Sequence, residues 1–305
     1  MSKTKIAFFG THDFAATILQ GLLDSDIISV EMVFTQPDRK IGRKQIVEES
    51  PVKKLARQHD IQIAQPESLK NFSLSTLNFQ LGIVAQYGLI IPKTIIDSFP
   101  LGMINVHGSL LPKYRGASPI QAAIVNGETT TGVTIMLMDE KMDHGPILSQ
   151  KSLPIDKDDT FTTLASKMAV IGSKLLLDTL SKYLNKKIRP QEQMHDQATF
   201  TKLLNKDDGK IDFNKSAEEI YNLYRGLTPW PGIWTVWNGK RLKLLKIITS
   251  KKTLPAGNVS TEEQKIFIGC ASGSIEVLEL QLEGKNPMNA ATFANGYKNL
   301  HGAVL

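Results

Sequence analysis

Three residues near the middle of the chain have the side chains that acyl transfer needs. Asn105 and His107 are two residues apart at the end of a predicted strand, so their side chains share one face of it. Asp143 follows the next apolar, strand-like run, at residues 131–138. An amide that donates, an imidazole that carries protons and a carboxylate that orients the imidazole can together stabilise a tetrahedral oxyanion. If the two strands are neighbours, the pattern predicts an acyl-transfer site.

The same residues also allow a purely structural interpretation. A single histidine near a strand end is more often a polar side chain satisfied within the fold, and Asp143 could be an ordinary loop carboxylate. The motif therefore gains weight only from the elements and segments that surround it.

Alternating strands and helices precede residue 187. Strands are expected at residues 5–10, 28–35, 61–64, 81–85, 103–106 and 131–138, and helices at residues 14–23, 51–58, 118–126 and 160–184. Ser50 is the expected N-cap of the second helix, with Pro51 at its first position. Strands separated by helices predict an α/β fold with a Rossmann-like, doubly wound parallel sheet, in which ligands gather beyond the carboxyl ends of the strands.

The pattern changes after about residue 187. A polar stretch predicts a linker, and short β-like runs separated by turns follow a helix at residues 216–227. Asn238-Gly239 between two such runs is the strongest short hairpin signal, and Ser272-Gly273 marks another turn. We therefore predict a first domain at residues 1–189, a linker at 190–207 and a smaller β-barrel, OB-like, at 208–305.

Composition excludes several classes of protein. The 305 residues are 41% hydrophobic, which argues against disorder, and no apolar run reaches the ~18 residues of a spanning helix. Cys270 is the single cysteine, so an intramolecular disulfide is excluded and a cytoplasmic setting is expected.

The first strand ends in a lone Gly10, without G-x-G-x-x-G or a Walker sequence, which disfavours NAD and ATP. The histidines show no paired spacing, so no metal is expected.

The net charge of +6 is concentrated in the second part of the chain. Residues 201–305 hold 14 basic and 10 acidic side chains, against 22 and 20 in residues 1–200. Six basic residues fall within residues 240–252 without an acid, which is a candidate footprint for a polyanion or else a solvated strand face. For Trp230, Trp234 and Trp237 we expect core packing rather than base stacking.

The segments around the candidate site resemble the folate-dependent formyltransferases. The matches occur in order over residues 5–237, and the likeness continues more loosely to the C-terminus. The matching segments are FFGTHDFA, VFTQPDRKIGR, PVK, VAQYGLIIP, INVHGSLLPKYRGASPIQ, GVTIMLMDEKMDHGPIL and NLYRGLTPWPGIWT. The NVHGSLLPKYRG block is specific for the superfamily, and the basic QPDRKIGR loop with the PWPG segment favours its tRNA-acting members.

The resemblance implies transfer of a formyl group from the co-substrate 10-formyltetrahydrofolate to the α-amino group of methionine on initiator tRNA. Asn105 and His107 would hydrogen-bond the oxyanion, and Asp143 would orient His107 and favour its protonated form. Two segments would line the folate site, the second largely through backbone groups: Ser109, Leu110, Leu111 and Pro112, and Gln86, Tyr87, Gly88 and Leu89.

By the same resemblance, the first domain is catalytic, a basic loop enters the acceptor stem and the C-terminal domain binds tRNA. The expected tRNA contacts are Arg39, Lys40, Arg43, Lys44, Lys240, Arg241, Lys243 and Lys246. The loop departs from the family pattern because Glu48 and Glu49 follow it, and His12 and His144 stand where the family commonly has Pro and Thr. We expect a monomer with no membrane partner.

Two alternatives remain at this point. One is a formyltransferase that acts on a small amine or a sugar-nucleotide amine, since the chemistry at Asn105, His107 and Asp143 would be the same. The other is a tRNA-binding protein on a decayed enzyme scaffold, which the intact N-x-H motif and Asp143 disfavour.

Overall fold

The computed structural model describes residues 3–41, 46–70, 72 and 78–305. The chain divides into two compact units. The first comprises Met1–Pro119, Thr130–Pro154 and Leu164–Lys202, and the second comprises Ile120–Thr129, Ile155–Thr163 and Leu203–Leu305. The expected boundaries at 1–189, 190–207 and 208–305 were linear, whereas each unit is assembled from three stretches of chain. Residues 190–202 of the expected linker contact the first unit.

The elements follow one another in this order in the described residues. They are β1 (Thr4–Gly10), α1 (Asp13–Leu23), β2 (Ile28–Phe34), β3 (Arg39–Ile41), β4 (Ile46–Glu48), α2 (Pro51–Gln58), β5 (Gln62–Ala64), β6 (Leu81–Ala85), α3 (Lys93–Ile96), β7 (Met103–His107), β8 (Arg115–Gly116), α4 (Pro119–Val125), β9 (Thr130–Leu137), β10 (Ile147–Pro154), α5 (Phe161–Leu184), β11 (Phe200–Thr201), α6 (Ala217–Leu227), β12 (Ile233–Trp237), β13 (Lys240–Ser250), β14 (Val259–Glu262), β15 (Lys265–Gly269), β16 (Ser274–Leu282), β17 (Met288–Asn289) and α7 (Ala290–Gly296).

The main sheet of the first unit has the strand order β10-β9-β7-β6-β1-β2-β5. The five strands from β7 to β5 are parallel, which confirms the Rossmann-like prediction. However, β9 runs antiparallel to β7, with Ile104 opposite Leu137 and His107 opposite Thr134. The strands that carry the candidate residues are thus neighbours, as the prediction required, but they do not share a carboxyl edge.

Strand β10 pairs antiparallel with β9 and was not predicted. Its central side chains, Gln150 to Ser152, are polar and solvent-exposed, so the segment lacks an apolar strand pattern. The hairpin of β9 and β10 matters for function because its connecting loop, residues 138–146, carries Asp143.

Buried aromatic side chains pack on one face of the parallel strands. The rings of Phe9 on β1 and Phe34 on β2 stack with centroids 4.4 Å apart, and Tyr87 and Phe99 meet Phe9 edge-on. All five residues of β6 are buried, as expected of a central parallel strand. This packing fixes the loops that follow β1 and β6.

Local sequence signals predicted several element ends correctly. Ser50 accepts a hydrogen bond from the Lys53 amide at the N-terminus of α2, whose first residue is Pro51. Asn238 and Gly239 both have positive φ and join β12 to β13. The N-cap of α1 is His12, whose side chain makes no capping hydrogen bond, and Asp13 is the first residue of the helix.

The second unit contains an antiparallel sheet of six strands. Its order is β12-β13-β16-β15-β14, with β17 paired to β16. Inward-facing side chains such as Ile247, Ile268 and Val277 form the core together with residues of α6 and α7. A separate antiparallel β domain after the α/β domain is the predicted fold class. Across the described residues, no helix is both long and apolar enough to cross a membrane.

Candidate active site

His107 is the last residue of β7 and is only 5% exposed. Its Nε2 lies 3.0 Å from the carbonyl oxygen of Tyr114, and its Nδ1 lies 3.5 Å from Oδ1 of Asp143. Because a carbonyl oxygen only accepts, Nε2 carries a proton and donates it to Tyr114. The other ring nitrogen, Nδ1, faces the Asp143 carboxylate oxygen.

The Asp143 carboxylate is held by three groups. The amide N–H of Gly116 donates to Oδ2 at 2.7 Å, Nδ2 of Asn105 donates to Oδ1 at 3.3 Å, and His107 faces Oδ1. In the contacts from Gly116 and Asn105, the carboxylate oxygens accept the hydrogen bonds. The structure therefore brings Asn105, His107 and Asp143 together, as the sequence predicted.

The Asp143 loop reaches this position by doubling back along β9. Since β9 ends beside Ile104, the chain must return toward His107 before it enters β10. Gly145 makes the close approach possible: a Cβ atom there would lie 2.1 Å from the Leu137 carbonyl oxygen. Asp143 itself has a φ of +49°, a left-handed conformation that non-glycine residues seldom adopt.

Four residues that the sequence did not single out for catalysis lie in or beside the loop: His144 within it, and Arg115, Gln193 and His195 around it. Gln193 bridges the Arg115 side chain and the backbone of the Asp143 loop. Arg115 Nη2 also donates to His195 Nδ1 at 2.8 Å, and the His195 ring stacks on the His144 ring with centroids 4.0 Å apart. Gln193 and His195 lie in the stretch expected to be a linker, and no local sequence signal predicts their contacts.

The segment Ser109–Pro112, expected at the folate, is buried or half-buried, and its backbone is held by hydrogen bonds from side chains of β9 and β10. Oγ1 of Thr134 donates to the Ser109 carbonyl at 2.6 Å and accepts from the Leu111 amide at 3.1 Å. Gln150 Nε2 donates to the Leu111 carbonyl at 2.8 Å. These bonds fix the backbone of the segment at the edge of the site, with Leu110 half-buried.

The segment Gln86–Leu89 follows the carboxyl end of β6 and is also fixed through its backbone. The Tyr87 carbonyl accepts from Thr11 Oγ1 and from Gln36 Nε2, each at 2.9 Å. Gly88 has a φ of +80°, and a Cβ there would meet Gln36 at 2.2 Å. The Tyr87 ring packs in the core, where burial raises the pKa of its hydroxyl to about 12.

The predicted tRNA-contacting residues fall in two places. Arg39 is exposed and donates to Gln36 Oε1 at 2.6 Å, and the backbone of Lys40 pairs with Val47 in the β3–β4 hairpin, while Arg43 and Lys44 lie outside the described residues. On β13 of the second unit, the following side chains are exposed: Lys240, Lys243 and Lys246.

Arg241 on the same strand is half-buried, and its guanidinium lies over the Trp234 ring, 4.0 Å from the centroid. Trp234 and Trp237 are buried, as expected, but Trp230 is 51% exposed, so the prediction of core packing is wrong for Trp230. Trp230 stands in the segment between the end of α6 and the start of β12, outside the helices and strands that supply the core of this unit.

A Rossmann-like unit with an Asn–His–Asp cluster and a separate antiparallel β unit define a class of acyl-transfer enzyme. Residues 4–180 match the family described as Formyl transferase, and residues 203–298 match the family described as Formyl transferase, C-terminal domain. The chain belongs to the formyl transferase family.

Within that family, the chain is similar to proteins named methionyl-tRNA formyltransferase. The one from Lactococcus lactis subsp. lactis is 43% identical over 307 residues, covering 97% of this chain and 96% of that protein. The one from Caldicellulosiruptor saccharolyticus is 41% identical over 310 residues, covering 98% and 99%.

Solved structures of other formyltransferases share the fold. A sugar 3N-formyl transferase crystallised with dTDP and 5-N-formyl-THF has a TM-score of 0.65 at 22% identity, covering 94% of this chain and 100% of that one. An N-formyltransferase from Helicobacter canadensis, in complex with folinic acid and dTDP-3-aminofucose, has a TM-score of 0.64 at 21% identity, covering 91% and 98%.

Proposed function

We propose that the chain transfers the formyl group of 10-formyltetrahydrofolate to the α-amino group of methionyl initiator tRNA, giving N-formylmethionyl-tRNA for translation initiation. The observation that carries this proposal is the Asn105–His107–Asp143 cluster within a chain that is similar over nearly its whole length to methionyl-tRNA formyltransferases.

In this reaction the protein must orient the amine and the formyl group and stabilise the developing oxyanion, and it does not need a strong base. A free α-amino group titrates near ~7.7–8.0, and esterification of its carboxyl lowers that value, so much of the amine is neutral and nucleophilic at physiological pH. When bound, 10-formyltetrahydrofolate supplies the activated formyl group. The catalytic residues must then stabilise the negative charge that develops on the formyl oxygen as the new C–N bond forms.

Asn105 and His107 are the donors to that oxygen. Asn105 uses one amide hydrogen toward Asp143, which leaves its second hydrogen for the substrate. His107 reaches the oxygen when its Nε2 exchanges the Tyr114 carbonyl for the substrate oxygen, while Asp143 orients the ring through Nδ1. The amine gives up its proton through a water beside Asp143 and His107. The bond between the formyl carbon and N10 of the folate then breaks as N10 takes up a proton, and tetrahydrofolate leaves.

The residues around the cluster fit a folate. A pterin is a flat ring with polar edges, and such ligands bind between apolar walls with a few fixed polar groups. Leu89 and Leu110 are half-buried apolar side chains in the two segments expected there, and both segments have backbones anchored by side chains behind them. We propose that these segments, Gln86–Leu89 and Ser109–Pro112, hold the co-substrate.

The tRNA is bound by basic residues of both units. Arg39 and Lys40 of β3 supply phosphate contacts together with Arg43 and Lys44, which follow them in the sequence. The exposed lysines of β13 supply others, with Arg241 beside them. We further propose that the enzyme acts as a monomer in the cytoplasm, where charged initiator tRNA is used. Sedimentation of the pure protein tests the oligomeric state.

The decisive experiment measures transfer of labelled formyl groups from 10-formyltetrahydrofolate to three acceptors: methionyl initiator tRNA, methionyl elongator tRNA and a 3-amino sugar nucleotide. The proposal expects strong labelling of the initiator alone. Labelling of the sugar nucleotide without the charged tRNA would establish the alternative substrate class, and tRNA binding without labelling would indicate a decayed enzyme.

A further inference from the structure

Gln193 is 5% exposed and contacts the backbone of the Asp143 loop. Its Nε2 donates to the carbonyl oxygens of Asp143, at 3.0 Å, and Gly145, at 2.7 Å. Both amide hydrogens of Gln193 therefore bind residues on either side of His144, within the loop that presents the catalytic carboxylate.

Arg115 fixes which way the Gln193 amide points. The buried Arg115 guanidinium donates to Gln193 Oε1 through Nε, at 3.2 Å, and Nη2, at 2.7 Å. A guanidinium only donates and a carbonyl only accepts, so the amide oxygen must face Arg115 and the amide nitrogen must face the loop. Gln193 thus links a buried cation to two backbone carbonyls in one orientation.

The loop needs such an anchor because its backbone is strained. Asp143 holds a left-handed φ of +49°, a conformation that persists in non-glycine residues only where the surroundings enforce it. The Gly116 amide binds the carboxylate, but the described contacts to the Asp143 and Gly145 carbonyls come from Gln193. Without Gln193, the side chain of Asp143 would keep a partner while its backbone lost one.

We propose that Gln193 is a positioning residue for Asp143: it fixes the loop backbone so that the carboxylate meets Asn105 and His107, and Arg115 orients Gln193 in turn. The inference rests on the catalytic role proposed above for Asp143. Misplacing a catalytic group by about 1 Å can cost about 100-fold in rate, so the effect should appear in kcat rather than in substrate binding.

The first test is Gln193→Met, which keeps the length of the side chain and removes its hydrogen bonds. We expect kcat for formyl transfer to fall by about 10–100-fold, with both Michaelis constants and the far-ultraviolet circular dichroism near wild type. The matched control is Gln191→Met in the same segment, because the Gln191 side chain is exposed and its backbone bonds to Ile147 do not involve the side chain. The control should keep wild-type kcat.

A second variant separates positioning from general stability. In Gln193→Glu the side chain still binds Arg115, but an ionised carboxylate sets negative oxygens against the Asp143 and Gly145 carbonyls. Protonation restores one donor, so kcat relative to wild type should rise as the pH is lowered, whereas Gln193→Met should show no such recovery. A residue that merely supports stability would give parallel pH profiles for the two variants.

A double-mutant cycle with Asp143→Asn closes the test. If Gln193 acts through Asp143, the double variant should be as slow as Asp143→Asn within about twofold. Multiplicative losses, or wild-type kcat in Gln193→Met while Asp143→Asn is impaired, would overturn the role of Gln193 and leave the Asp143 assignment intact. Wild-type kcat in Asp143→Asn would overturn both.

Discussion

Asn105 contributes one amide that serves two partners, the carboxylate of Asp143 and the substrate oxygen. The residue is half-buried in the middle of β7, with its Nδ2 3.3 Å from Asp143. We expect Asn105→Ala to lower kcat by about 100–1,000-fold, the usual effect of removing an oxyanion donor. Formyl transfer under single-turnover conditions measures this. Affinity for tRNA, measured by filter binding, should change little, and a parallel loss of tRNA affinity would contradict the role.

Cys270 is a second residue whose environment makes a prediction. Burial in the core of the second unit raises the pKa of its thiol to about 11, so the thiolate is scarce at neutral pH. We expect no reaction with a thiol reagent at pH 8 in the folded protein and stoichiometric reaction in denaturant. Since the unfolded thiol loses its proton first, stability should fall as the pH rises above about 9. Cys270→Ala should show a smaller fall, which retains the share of buried tyrosines such as Tyr87.

At the scale of elements, the short β8–β11 pair joins the segment that follows β7 to residues 190–202. Arg115 and Gly116 pair in parallel with Phe200 and Thr201, and the Gly116 amide binds Asp143. Gly116 has a φ of +111°, and a Cβ there would lie 2.3 Å from the Thr201 carbonyl oxygen. Gly116→Ala should therefore lower both the free energy of unfolding, by about 1–3 kcal/mol, and kcat.

Thermal unfolding and formyl transfer of the same Gly116→Ala preparation measure the two effects. Gly296→Ala, at the end of α7, is the matched control because nothing lies within 4 Å of its added Cβ. The control should unfold at or above the wild-type temperature. Wild-type stability in Gly116→Ala would mean that the β8–β11 pair can shift to accommodate the added Cβ without a loss of folding free energy.

These elements also show which features the sequence could predict. Ser50-Pro51 and Asn238-Gly239 act on their immediate neighbours, so the start of α2 and the β12–β13 hairpin followed from local chemistry. The direction of β9 depends on β7, about thirty positions away along the chain. The contacts of Gln193 depend on Asp143, which is 50 positions away. Strand β10 has exposed polar side chains and therefore no apolar pattern to detect.

At the scale of the whole molecule, part of the proposed tRNA-binding surface lies in a different unit from the proposed catalytic residues. The proposed catalytic residues belong to the first unit, whereas the exposed lysines of β13 belong to the second. Substitutions on β13 should therefore change tRNA binding without changing the chemical step. A modest net charge of +6 is compatible with tight tRNA binding when the basic residues are grouped in this way.

The salt dependence of tRNA binding tests this assignment. Each phosphate contact releases counterions, so losing one should reduce the slope of log K against log salt concentration by about 0.7–0.9. We expect that reduction for Lys243→Gln and for Lys246→Gln, with single-turnover rates at saturating tRNA unchanged. Lys285→Gln, which removes an exposed charge from the same unit outside β13, is the control and should keep the wild-type slope. Equal slopes for Lys243→Gln and wild type would remove β13 from the tRNA-binding surface, and an equal reduction in the Lys285 variant would attribute the effect to net charge alone.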